Sequence, residues 1–246
     1  MNRNVEYPEI MFRDPEFLES LEGRTLRILS EYLGPMSKLE RTKINSTILF
    51  LGSSKADPSN SGSLLTRYYW EAEDLAFRLA KWAIGLKPKV RGKDFVICTG
   101  SGPGIMEAAN RGAARAGAKT IGMNISLPQP QPPNPYITPD LSFTFHYFFM
   151  RKFWLAYKAK AVLAFPGGFG TLDEFFEILT LIQTSKISKR ELILVLYGKD
   201  YWREVLNLDA LVANKAVSAA DLALFSYCNS VDEAYALLTQ RLEESL

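Results

Sequence analysis

The chain is short of the side chains that most often bind metals or carry nucleophilic catalysis: its 246 residues include one histidine and two cysteines. A lone histidine, His146, without a partner at a useful spacing makes a poor triad member or metal ligand. Cys98 and Cys228 lack the C-x-x-C spacing of a zinc or redox motif, so no metal site is expected. Cys98 lies inside an apolar run and reads as a small core residue. So few cysteines point to a reducing compartment and a cytoplasmic protein. No apolar run approaches the roughly 20 residues of a membrane helix. The N-terminal MNRNVEYPEI lacks the apolar stretch of a signal peptide. An excess of one charge is also missing: 29 Lys and Arg against 27 Asp and Glu leave +2. That balance argues against nucleic acid and anionic membranes as partners. The one basic concentration, Lys87, Lys89, Arg91 and Lys93, contains Pro88 and Gly92 and reads as a solvated turn.

What is present is a globular composition, 47 % apolar, in a chain long enough for one sizeable domain. Residues 1–43 read as an N-terminal helical extension, with apolar residues at helical spacing from Glu16 to Leu33 and a stop at Gly34-Pro35. Residues 44–246 alternate short apolar strands with helices. Strands are expected at Thr47–Leu51, Phe95–Thr99, Thr120–Ile125, Leu141–Phe145, Val162–Phe165 and Glu191–Leu196. Helices are expected at Leu64–Lys81, from Gly104 to about Ala116, and at Tyr147–Lys160, Leu172–Gln183, Tyr201–Leu206 and Val231–Glu243. The segment Leu127–Pro139 is too rich in proline for a regular element and reads as an extended loop. This alternation implies an α/β fold, a doubly wound, mainly parallel sheet with helices on both faces. Ligands in such sheets lie at the carboxyl ends of the strands, at a topological switch point.

The most informative run is Pro166-Gly167-Gly168-Phe169-Gly170-Thr171-Leu172-Asp173-Glu174. It follows an apolar strand and opens a helix, the arrangement of an anion cradle: glycines permit close backbone approach and free N–H groups point at the ligand. Two further strands end in small-residue loops, Gly52-Ser53-Ser54 and Gly100-Ser101-Gly102-Pro103-Gly104. The latter lacks the last glycine of a dinucleotide fingerprint, having Met106 there, and no acidic residue follows to hold a ribose. The ligand therefore reads as mononucleotide-sized. Thr171-x-x-Glu174 fits a capping box, yet the helical pattern also sets Glu174 at the edge of the buried sector given by Leu172, Phe175, Phe176, Leu179 and Ile182. Arg151 falls among Tyr147, Phe148, Trp154 and Leu155; a cation–π contact and an oxyanion in the crevice both account for it. Lys152 beside it offers a second positive charge.

Together these residues resemble the LOG ("Lonely Guy") family, the cytokinin-riboside 5′-monophosphate phosphoribohydrolases, many of which carry the label of predicted lysine decarboxylase. The family signature P-G-G-x-G-T-x-x-E is matched without a gap by Pro166–Glu174, and its upstream Arg-Lys pair by Arg151-Lys152. The similarity runs from about Ile48 to about Trp202. It implies a Rossmann-like domain, at least a homodimer, that hydrolyses the N-glycosidic bond of a nucleoside 5′-monophosphate without a metal or organic cofactor. Arg151 and Glu174 would be the catalytic pair. The nucleotide would be held by Gly52, Ser53, Ser54, Gly102, Gly104, Lys152, Gly167, Gly168, Phe169, Gly170, Thr171 and Asp173.

Three departures from the family pattern bear on the base. The usual triple glycine is Gly100-Ser101-Gly102, the residues before Arg151 are Phe148-Phe149-Met150, and the N-terminal extension and the proline-rich segment are longer than in compact members. They leave open whether a cytokinin riboside monophosphate or an AMP-like nucleotide is the substrate. An alternative function is a non-catalytic carrier of a nucleotide or of molybdenum cofactor, which needs the cradle but not the Arg–Glu pair. Single-stranded nucleic-acid binding would require a basic stripe that is missing. A lysine decarboxylase would require a pyridoxal-phosphate lysine, for which Lys152, Lys158 and Lys160 give no specific support.

Overall fold

Six-residue runs such as Ser46–Leu51 and Thr120–Ile125 are buried along their whole length. Strands covered on both faces need such runs. The computed structural model describes residues 10–86, 94–188 and 191–244. The basic cluster from Lys87 to Lys93 lies outside them. Seven strands form one parallel sheet: β1 (Ser46–Leu51), β2 (Phe95–Thr99), β3 (Thr120–Ile125), β4 (Ser142–Phe145), β5 (Ala159–Ala164), β6 (Ile193–Tyr197) and β7 (Ser226–Cys228). Their order is β4-β3-β2-β1-β5-β6-β7. The chain builds outward from β1 to β4, returns to the other side of β1 as β5, and builds outward again. The switch point therefore lies between β1 and β5.

Alternate residues of β1, β2, β5 and β6 feed two cores. Ile48, Phe50, Ile97, Leu163 and Val195 pack under α3 (Leu64–Leu86), α4 (Ile105–Arg115) and α9 (Val231–Glu243). Leu49, Leu51, Cys98, Ile121, Val162 and Leu194 pack under the helices of the opposite face. Those are α2 (Arg24–Arg41), α5 (Phe148–Tyr157) and α6 (Phe169–Gln183), with α7 (Lys199–Val205) beside them. The short α1 (Pro15–Glu19) and α8 (Leu208–Ala213) complete the α-helices of the described residues.

Several boundaries differ from the sequence expectation, such as the end of α3 at Leu86 rather than Lys81, and three of them bear on the site. The break in the extension falls at 20–23, between α1 and α2, and α2 continues through Gly34 and Pro35. Pro35 offers no N–H to the Glu31 carbonyl one turn back. That carbonyl instead accepts from Trp154 Nε1 of α5 at 2.9 Å, so its hydrogen bond is replaced rather than lost. The Glu31 carboxylate accepts from the N–H groups of His146 (2.6 Å) and Tyr147 (3.2 Å), capping the entrance to α5. Helix α5 ends at Tyr157, so Ala159 and Lys160 belong to β5 rather than to a helix reaching Lys160. Parallel pairing of Ala159 with Thr47 takes those residues into the sheet. Finally, α6 begins at Phe169, three residues before the expected start at Leu172.

Candidate active site

The loops after β1 and β5 are stitched together at the switch point. Ser53 N–H donates to the Pro166 carbonyl at 3.0 Å, and Phe165 N–H to the Leu51 carbonyl at 2.9 Å. A Cβ on Gly167 would collide with the Thr171 side chain and lie 3.0 Å from the Ser53 nitrogen, so this crossing requires glycine. From outside, Tyr201 Oη donates to the Gly167 carbonyl at 2.9 Å, and buried Trp202 Nε1 to the Ala164 carbonyl at 3.1 Å. The turn is thus held on both sides.

Gly168 occupies the N-cap of α6 and brings no side chain to it. Thr171 therefore sits in the first turn, and the expected capping box with Glu174 does not form. The N–H groups of Phe169, Gly170 and Thr171 have no acceptor among the described residues. Three unpaired donors at the positive end of a helix make an anion site. They border a cavity of about 320 Å³, at the small end of the range for ligand clefts. Gly52, Ser53, Ser54 and Lys55 line it from the β1 side, and Gly168–Thr171 from the β5 side. Arg151 and Glu174 also line it, and Gly100, Met106 and Gln131 close the β2 side.

Arg151 and Glu174 meet in this cavity, Nη2 to Oε1 at 2.8 Å, their side chains 13 % and 12 % exposed. The Arg151 guanidinium also lies 5.4 Å from the centre of the Phe148 ring, so it has an aromatic face as well as the Glu174 carboxylate beside it. Its Nε is buried without a hydrogen-bond partner among the described residues. Glu174 shares its side of α6 with the buried residues Thr171, Phe175, Ile178 and Ile182. Leu172, Phe176 and Leu179, expected on the buried face, are only half-buried, so the helix is rotated toward the carboxylate. Burial pushes the Glu174 carboxyl above its usual range, and the adjacent Arg151 charge opposes that rise. Cys98 is fully buried, and burial, with a smaller push from Glu174, raises its thiol far above the ordinary range. It stays protonated and is no nucleophile.

Other residues proposed from sequence stand around the cavity without lining it. Lys152 Nζ pairs with Asp173 and with Glu177, each at 3.0 Å, across α5 and α6. Gly104, at φ +70°, lets α4 abut the β1 loop: a Cβ there would strike the Ser53 carbonyl, which accepts from Ile105 N–H at 3.1 Å. Gly102 makes room for the side chains of Gln131 and Met106. Leu51, Lys55, Gly100, Met106 and Gln131 also line the cavity, and the sequence reading gives none of them a binding role. Met106 could have been found, because it replaces the missing fingerprint glycine; Gln131, in the proline-rich segment, carries no motif. Among the described residues no group of three or more His, Cys, Asp or Glu side chains is gathered for a metal, and no helix is long and apolar enough to cross a membrane.

A family model described as possible lysine decarboxylase matches residues 106–238. Over 128 residues the chain is 32 % identical to a pyrimidine/purine nucleotide 5′-monophosphate nucleosidase of Escherichia coli K12, a match covering 45 % of this chain and 27 % of that protein. The chain therefore spans about a quarter of that relative's length, 27 %. Among solved structures, a structural-genomics target determined by X-ray crystallography shares the fold at a TM-score of 0.53 and 19 % identity, covering 79 % of this chain and 99 % of that one. The Moco carrier protein from Chlamydomonas reinhardtii does so at 0.51 and 21 %, covering 81 % and 99 %. At such identities the likeness concerns the fold alone. The family match takes in over half of the chain, with Arg151 and the whole Pro166–Glu174 run inside it, and the protein belongs to the LOG family, whose sequence model bears the description possible lysine decarboxylase.

Proposed function

We propose that the protein hydrolyses the N-glycosidic bond of a nucleoside 5′-monophosphate, yielding free base and ribose 5-phosphate. The observation that carries this reading is the enclosed Arg151–Glu174 pair beside the open N-terminus of α6. The phosphate takes the three free N–H groups, with the Thr171 hydroxyl beside them. The ribose then spans the pair. As the C1′–N bond stretches, positive charge grows on the sugar, and the Glu174 carboxylate stabilises it. Water attacks C1′; its proton leaves through Glu174 or solvent, and the departing base takes up a proton. Arg151 keeps Glu174 ionised and oriented, and its planar fork holds ribose or phosphate oxygens. It serves as an electrostatic partner rather than a proton donor.

The Escherichia coli relative's name supports the reaction class. An AMP-like nucleotide and a cytokinin riboside monophosphate are the two substrates to compare. We further propose a cytoplasmic homo-oligomer, at least a dimer. Two unpaired buried cysteines suit a reducing compartment. Phe149, Tyr157 and Phe169, all half or more exposed on α5 and α6, suit a covering second copy. Sedimentation showing a fully active monomer would remove the oligomer. The decisive experiment incubates the purified protein with nucleoside monophosphates and nucleosides, and measures free base and ribose 5-phosphate. Release from monophosphates only is expected. Tight binding without release would leave a carrier instead, and equal release from nucleosides would overturn the cradle.

A further inference from the structure

We infer that the side-chain amide of Gln131 grips the edge of the base and selects it, an assignment that rests on the nucleotide reading of the cavity. The proline-rich segment carrying Gln131 is strapped down. Asn124 Nδ2 donates to the Gln131 carbonyl at 3.0 Å. Asn134 Nδ2 donates to the carbonyls of Ser101 (3.1 Å) and Gly102 (3.2 Å) and to Asn110 Oδ1 (2.9 Å). Thr138 N–H reaches the Thr120 carbonyl at 3.2 Å. The strap therefore has a defined position over the β2–α4 loop, and Gly102 is the gap it fills: a Cβ there would lie 2.7 Å from Gln131 Nε2.

Gln131 is half-buried, lines the cavity, and its amide makes no hydrogen bond among the described residues. An ordered amide with donor and acceptor both uncommitted is a recognition group awaiting a partner. Its place fits the base. In the sheet, β1 separates β5 from β2, so the cradle and the Gln131 side stand two strand spacings apart, roughly 10 Å. That is the reach of a nucleotide from phosphate to base. A primary amide pairs in two bonds with an edge offering one donor and one acceptor, as an unsubstituted 6-aminopurine does. Met106 beside it offers a polarizable thioether to the ring. A bulky substituent on the 6-amino group would compete for the space the amide fills, so AMP is favoured over cytokinin riboside monophosphates.

The test compares the native protein with Gln131→Leu and Gln131→Glu, the second keeping the side chain's size while losing its donors. Expected are a KM for AMP raised roughly tenfold or more in both, with inhibition by ribose 5-phosphate and the melting temperature unchanged. A KM within twofold of native, or ribose 5-phosphate inhibition weakened in parallel, would overturn the assignment. Calorimetric binding of AMP separates this inference from the proposed reaction. A native protein that binds AMP without releasing base, and loses affinity in Gln131→Leu but not for ribose 5-phosphate, would refute hydrolysis and support the base contact. A native protein that does not bind AMP would refute both.

Discussion

Two glycine loops follow the strands on either side of β1 and open helices, yet they serve opposite ends. In the β2–α4 loop the glycines let protein meet protein: Gly104 admits the Ser53 carbonyl to the start of α4, and Gly102 admits Gln131. In the β5–α6 loop the protein stays away. A Cβ on Gly168 or Gly170 would meet nothing within 4 Å, and the first three N–H groups of α6 are unpaired. Glycine content alone does not mark a ligand site. What separates the two loops is that the Ser53 carbonyl already takes the first N–H of α4, whereas no acceptor among the described residues takes the first three of α6.

The comparison can be tested by changing each loop. The largest effect belongs to the pair facing the open loop. Glu174→Ala and Arg151→Ala are each expected to lower kcat roughly 10²–10³-fold on the best monophosphate, measured as base release, with the melting temperature held near native. Loss of less than tenfold in both would place the chemistry elsewhere. Next, Gly104→Ala is expected to destabilise the fold, roughly 1–3 kcal/mol from the backbone conformation alone, more with the Ser53 contact. Denaturant unfolding measures it; an unchanged midpoint would show that the closed loop is not closed. The matched change, Gly170→Ala, should leave stability intact or raise it by roughly 0.4–1 kcal/mol while weakening ribose 5-phosphate binding, because the methyl enters the cavity.

The smallest expected effect is one of pH. In the proposed reaction Glu174, its carboxyl raised by burial, would lose the charge that stabilises the transition state when pH falls through a value above the ordinary Glu range, so the acid limb of kcat should lie there. Because the folded form holds that proton more tightly than the unfolded chain, stability should rise slightly as pH falls from the folded value toward the unfolded one. It should change little from this group above the folded value. Glu174→Gln should abolish this contribution to the slope of the unfolding free energy against pH.

Strands β2 and β3 and helix α9 match their expected bounds because local chemistry encloses them: an apolar run stopped by Gly100 for β2, Gly117 before and a proline-rich segment after β3, and a Ser230 cap before α9. The signature at Pro166–Glu174 and the Arg151–Lys152 pair were equally legible as chemistry. What eluded sequence reading depends on distant partners. The Thr171–Glu174 spacing obeys the capping-box rule, yet Gly168 takes the cap and Glu174 turns to Arg151 on another helix. Pro35 breaks no helix because Trp154 supplies the missing donor. Short β7, paired only with β6, has too few residues to show a period. Gln131 is placed by Asn124, Asn134 and the gap above Gly102, none of which a local window connects.

The substitution of Trp154 for the amide that Pro35 lacks has a dynamic consequence. Through Glu31, the same residue of α2 holds both the start and the middle of α5, the helix that carries Arg151. Fraying of one helix removes partners from the other, so the two should open as a single cooperative unit in hydrogen exchange. A ligand gripped by Arg151 would then slow exchange in α2, recording occupancy of the crevice in a segment that does not line it.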